Sequence, residues 1–138
     1  MSAASRRQAR RAALILLYQR DVTGRPFKDL SAAYEGDAGQ PVPPYAQTLI
    51  EGVTADRDRL DELIGRHAKG WSFDRIAPVE RAALRIAVHE LLEAAPEVPP
   101  AVAIDEAVRL AKRYASPEAA VFVNGLLGAL ARELGVGR

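Results

Sequence analysis

Residues that could carry out bond-making chemistry are scarce in this chain. It has two histidines, His67 and His89, and no cysteine. Neither histidine has a second ligand at metal-binding spacing, and His89-Glu90 lacks the partner histidine of a metalloprotease helix. No phosphate-binding glycine loop, nucleophile elbow or dinucleotide fingerprint is present. Asp105 and Glu106 are adjacent carboxylates, but neighbouring positions on a helix point different ways, so they read as a solvated or salt-bridged face. The expectation is a protein without catalytic residues, metal or cofactor, and not an enzyme.

Binding chemistry is better supplied. Residues 1–20 hold Arg6, Arg7, Arg10, Arg11 and Arg20 and no acid. The whole chain has 19 basic and 18 acidic side chains, so the remainder keeps 14 and 18, a net charge of −4. A basic end on a mildly acidic body points to a polyanion at that end. At about 100° per residue, Arg7, Arg11, Leu14 and Tyr18 fall in a helical sector about 60° wide, with Arg10 beside it and Arg6 a little further round. Arginine grips phosphate with two donors and a tyrosine ring offers a stacking surface, a pairing suited to single-stranded RNA. No helix-turn-helix signal argues for a DNA groove instead. A solvated basic helix with Tyr18 at the edge of the core accounts for the same pattern about equally well.

A second group is Phe122-Val123-Asn124-Gly125. Glycine within a helix costs roughly 1 kcal/mol against alanine, so Gly125 implies close packing or an approaching ligand. By chemistry alone Phe122 reads as core and Asn124 as a structural hydrogen bond. Trp71 and Phe73 read as a hydrophobic plug between helical bundles.

These side chains need helices to position them. Hydrophobic residues make up 49% and charged residues 27% of the 138, an ordinary globular balance with enough chain for one core. Helical spacing recurs and period-two alternation does not. The first helix is expected over about residues 5–22, with Ala9, Ala12, Ala13 and Leu16 inward. A short helix follows over Phe27–Glu35, then a loop over Gly36–Pro44. One long helix is expected from about Pro44 to Ala68, on Leu49, Ile50, Val53, Leu60, Leu63 and Ile64. Pro78 opens a helix that stops before Pro96, and Pro99-Pro100 opens another. The last starts at Ser116-Pro117-Glu118 and ends at Gly135. The apolar run Ala12–Leu17 imitates a secretory signal, but no cleavage site follows, and no segment reaches the roughly 18 apolar residues of a membrane span. A cytoplasmic setting suits a cysteine-free chain.

Four of these stretches, in order, make the chain resemble the NusB family of transcription antitermination factors. They are Arg6-Arg7-Gln8-Ala9-Arg10 with Leu17-Tyr18; Val79-Glu80-Arg81 with Leu84–Ala87 and Glu90-Leu91; Ile104–Val108 with Ala111-Lys112; and Phe122–Leu127. The resemblance spans essentially the whole chain. It implies an all-α fold of two perpendicular three-helix bundles with a short connecting helix, a single domain over residues 1–138 with sub-bundles at about 1–70 and 71–138. It also implies a job: binding the boxA element of ribosomal RNA leader transcripts together with NusE, a ribosomal small-subunit protein, within the RNA polymerase antitermination complex.

Carried over residue by residue, the resemblance assigns Arg6, Arg7, Arg10 and Tyr18 to RNA, with Glu118 and Phe122 as further RNA contacts and Glu80 facing NusE. Gln8 and Val121 stand where the family often has basic residues, Asp105 where asparagine is frequent and Gly128 where aspartate is, so the RNA face is less basic than it could be. Rival readings are the NusB-like domain that precedes some ribosomal RNA cytosine methyltransferases, and a helical protein–protein scaffold. A metal-dependent nuclease is a distant third. The first is expected to continue into a cofactor-binding region that is absent before Arg138. Apolar helix faces leave a homodimer open.

Overall fold

Four prolines and two serines set where the helices begin. In the computed structural model, which describes residues 1–70, 72–94 and 97–136, the elements are α1 (Ala3–Thr23), α2 (Phe27–Ala38), α3 (Pro44–Ala55), α4 (Arg57–Arg66), a 3₁₀ turn (Phe73–Arg75), α5 (Pro78–Glu93), α6 (Pro100–Tyr114) and α7 (Pro117–Leu134). Pro44, Pro78, Pro100 and Pro117 occupy first helical positions, where no amide hydrogen is needed. Ser2 and Ser116 accept from Ser5 N and Ala119 N, both at 3.0 Å. Trp71, assigned above to an inter-bundle plug, lies outside the described residues; Phe73 is half-buried against the core.

The all-helical architecture stands, with two corrections to the element boundaries. α2 runs past Gly36 to Ala38 before Gly39, left-handed at φ 70°, closes it. The Glu35 carboxylate then accepts from Val42 N at 2.8 Å and pins the loop. The expected long helix is two helices, parted at Asp56 (φ −114°, ψ 20°). Between Val53 and Leu60 the inward-facing turn carries Asp56 and Arg57, so an unbroken helix would drive both charges into the core. With the break, Arg57 stays exposed and reaches Asp21 and Asp61, each at 3.8 Å.

α1, α2 and α3 form one bundle, and α5, α6 and α7 pack mutually as the other. α4 bridges them, touching α3, α5 and α7. α5 is the hub: it packs on α1 and α3 as well as on its own bundle, so one apolar core runs through both. Its Arg85, only 4% exposed, is satisfied by a two-point pair with Asp61 (2.8 and 3.0 Å) and by the face of Phe73, 5.0 Å away.

α3 approaches α5 closely at Gly52, against which the His89 ring lies. A Cβ at Gly52 would sit 2.2 Å from His89 Cε1 and 2.6 Å from Nε2. Gly52→Ala is therefore expected to lower unfolding stability by about 1–3 kcal/mol through overpacking. In a His89→Ala background the same change clears the clash and gains up to about 1 kcal/mol of helix propensity. Urea denaturation of the two singles and the double reads that change of sign; equal effects in both backgrounds would refute the contact.

Candidate nucleic-acid interface

The buried arc of α1 decides what its arginines can do. Ala9, Ala12, Ala13, Leu14, Leu16 and Leu17 are all buried. At about 100° per residue they span about 200° of the helix, with Arg10 inside the arc between Leu17 and Leu14. α3 and α5 both pack against α1. The basic stripe is thus not the uniformly exposed face expected from the sequence.

Arg10 is the main correction. It is 2% exposed, and its Nε donates to both oxygens of Glu90 at 3.1 and 3.0 Å. Glu90 is itself 1% exposed and also accepts from Tyr45 Oη at 2.5 Å. Burial pushes the Glu90 carboxyl upward, and Arg10 and Tyr45 pull it back. Arg10 therefore joins the two bundles from within, and its guanidinium does not present to solvent.

Arg7 has the opposite balance. Its Nε and Nη2 donate to Glu106 Oε1 and Oε2 at 3.1 and 2.9 Å, while its side chain remains 43% exposed. The hydrogen bond from Arg7 holds the Glu106 carboxyl below the usual glutamate range. One edge of the guanidinium is committed to Glu106, and the other edge can take a second anion. Arg6 is half-buried and lines a groove of about 860 Å³ between α3 and α5, with Tyr45, Glu51, His89 and Glu93.

Tyr18 is 36% exposed, three turns along α1, about 18 Å from Arg6 at 1.5 Å per residue. It lies one turn before Asp21, which accepts from Arg81 Nε at 3.1 Å. That contact brings this end of α1 to the first turn of α5, which carries Glu80. There the structure does gather predicted residues. Glu80, Glu118 and Phe122 line one hollow of about 300 Å³, with Arg75, Ile76, Ser116 and Ala119. The 3₁₀ turn supplies Arg75, the starts of α5 and α7 supply the acids, and Phe122 is half-buried on the second turn of α7. Burial raises the Glu80 carboxyl above its ordinary value.

Both histidines have structural surroundings. His67 Nε2 is 2.5 Å from Glu133 Oε1, a tie from the end of α4 to α7 that Arg66 reinforces. Burial, and to a lesser degree the neighbouring Arg66, lowers the His67 pKa, and burial lowers that of His89. Among the described residues no cluster of three histidine, aspartate or glutamate side chains could hold a metal ion, and no helix is long and apolar enough to cross a membrane.

The NusB family model matches residues 7–132, nearly the entire chain. The chain belongs to the NusB family. It is 46% identical over 131 residues to a transcription antitermination protein NusB of Saccharopolyspora erythraea, covering 92% of this chain and 86% of the relative. The NusB of Salinispora tropica is 45% identical over 130 residues, covering 92% and 95%. Proteins of the NusB family are antitermination factors, a non-enzymatic class.

Among solved structures, the fold superposes on a crystal structure of antitermination factors NusB and NusE in complex with double-stranded RNA. The TM-score is 0.85 at 30% identity, over 96% of this chain and 99% of that one. T. maritima NusB matches with a TM-score of 0.81 at 32% identity, over 93% and 91%. The residues expected from the sequence to bind sit in two places here: Arg6 and Arg7 at one end of α1, and Tyr18, Glu80, Glu118 and Phe122 toward the other. Spacing along the sequence did not point to Arg75 and Tyr45, because each reaches its hollow or groove from a different element.

Proposed function

We propose that this chain is a non-catalytic RNA-binding adaptor of transcription antitermination. In this reading it binds the boxA element of ribosomal RNA leader transcripts jointly with NusE, and joins that RNA to the RNA polymerase antitermination complex. The observation that carries the reading is the convergence of Glu80, Glu118 and Phe122 from two helices around one hollow. An aromatic flanked by hydrogen-bonding groups can stack a splayed base and read its edge. Arg6, Arg7 and Tyr18 extend the contact along α1, with phosphate held by the free edge of Arg7 and a base stacked on the exposed Tyr18 ring. Of the three residues around the hollow, Glu118 and Phe122 meet the RNA, and Glu80, at the positive end of α5, meets NusE. Arg10 acts from inside, fixing α1, which carries Arg6, Arg7 and Tyr18.

Fluorescence-anisotropy titration of a boxA RNA and a scrambled control, each with and without NusE, tests this. Selective binding to boxA, strengthened by NusE and weakening steeply with salt, is the expected result. If neither RNA binds under any condition and NusE changes nothing, the chain is a helical protein–protein scaffold whose arginines serve the fold.

A further inference from the structure

The last turns of α1 meet the start of α2, the junction of α3 with α4, and α5 around a hollow of about 140 Å³. Arg20, Arg57 and Arg85 line it together with Asp21 and Thr54, and the remaining walls are apolar. Small-molecule pockets usually measure about 300–1,000 Å³, so this one takes a single compact group and not a base or a nucleoside. It shares no lining residue with the Glu80–Glu118–Phe122 hollow.

Around this hollow, donors outnumber acceptors. Arg81 Nε donates to Asp21 Oδ2 at 3.1 Å, and its Nη2 stands 2.9 Å from the same oxygen. Asp61 takes the two-point pair from Arg85 Nε and Nη2. Arg85 Nη1 is left 3.7 Å from Asp21, too long for a hydrogen bond. Arg57 approaches Asp21 and Asp61 only to 3.8 Å and makes no hydrogen bond among the described residues. Arg20 donates from Nη1 to the carbonyls of Gly24 and Arg25, leaving Nε and Nη2. Asp21 and Asp61 thus satisfy Arg81 and Arg85, while Arg20 and Arg57 add two cations that the pairing does not require. Guanidiniums gathered on one small hollow repel each other, and an anion among them turns that repulsion into attraction.

We propose that this hollow is an oxyanion site that takes one phosphate group. A tetrahedral phosphate offers acceptor oxygens in several directions, which suits guanidinium forks arriving from three different helices. Arg57, 55% exposed at the rim, supplies the charge that no carboxylate has claimed. Arg85 Nη1 and the remaining donors of Arg20 complete the cationic wall, and the Thr54 hydroxyl adds a neutral donor. The group can belong to free phosphate or to a backbone phosphate of RNA. The site stands independently of the RNA-binding reading above.

The test is a titration of the whole chain with sodium phosphate, at ionic strength held constant with sodium chloride, followed by NMR on the arginine Nε–Hε signals. Phosphate is expected to shift the Arg20, Arg57 and Arg85 signals along one saturating curve. Arg57→Ala should weaken that binding about tenfold or more, the loss of a charged hydrogen-bond partner. Its melting temperature in chloride should barely change, since exposed pairs contribute little. Arg59→Ala, at an equally exposed arginine outside the hollow, should leave the titration unaltered. A second arm adds boxA RNA without terminal phosphates. If the RNA shifts the same three signals and blocks further shifts by phosphate, the site holds a backbone phosphate; if it leaves them in place, the site holds a free one. Shifts no larger in phosphate than in chloride, or an equal loss in Arg59→Ala, would overturn the site and leave a solvated charge network. A protein that binds no RNA would overturn the RNA-binding reading alone, because the phosphate arm is read without RNA.

Discussion

Arg10→Ala is expected to unfold about 10 °C or more below the parent protein. The substitution leaves the Glu90 carboxylate, 1% exposed, without its cationic partner in the middle of the molecule. Breaking a buried pair from one side typically costs about 3–5 kcal/mol. In a domain of this size each kcal/mol is worth about 2–8 °C of melting temperature. The loss should depend on pH in a defined direction. Burial already pushes the Glu90 carboxyl upward, and removing Arg10 removes the main opposing pull. A carboxyl whose folded pKa lies above its unfolded value binds its proton preferentially in the native state, so stability rises as pH falls. The deficit of Arg10→Ala should therefore shrink as the pH is lowered from 7 toward 5. The double variant Arg10→Met with Glu90→Gln keeps an acceptor for Tyr45 Oη and removes both charges. It is expected to recover most of the stability. Thermal melts of the three proteins at both pH values check this. A single variant as stable as the parent would mean that the pair is not buried in solution.

Phe122→Ala is expected to weaken boxA RNA binding about fivefold to a hundredfold. One stacked base is worth about 1–3 kcal/mol by alanine substitution, and each 1.4 kcal/mol is tenfold in affinity. Phe122 is half-buried and lines the hollow with Glu80 and Glu118, so the melting temperature should fall only modestly. Stacking involves no ion release, and the salt slope should stay at its parental value. Arg6→Ala should do the reverse, flattening the slope so that its loss is largest at low salt and shrinks as salt rises. Phe122→Trp keeps a π face and is expected to retain affinity. Anisotropy titrations over a range of salt concentrations distinguish these behaviours. If Phe122→Ala binds like the parent, the ring is core and the RNA runs elsewhere.

The predicted assignments of Arg10 and Arg7 show how far sequence reasoning reached along α1. Both arginines belong to one motif, and their spacing alone treated them alike. Summed around the helix, however, Leu14 and Leu17 widen the apolar arc past a single face, which is the pattern of a helix covered on several sides. That signal was present, but it does not say which partner would neutralise an enclosed arginine. Glu90 and Glu106 lie 80 and 99 residues away, on different helices. Similarly, the polar step at Asp56-Arg57 marks where an amphipathic pattern fails, although periodicity on either side ran on as though one helix continued.

What the sequence by itself determined is local: helix starts at proline and serine, ends at glycine, and apolar positions at helical spacing, together with the ordered motifs of the NusB family. Each depends on residues within a turn or two, where sterics, capping and periodicity act directly. Only the tertiary structure decided which charges are spent inside the molecule and which remain for a partner. It buried Arg10 against Glu90, committed one edge of Arg7 to Glu106, and set Glu80 and Glu118 around one hollow with Phe122. Whether a charge is solvated or paired depends on elements distant in sequence that pack against it.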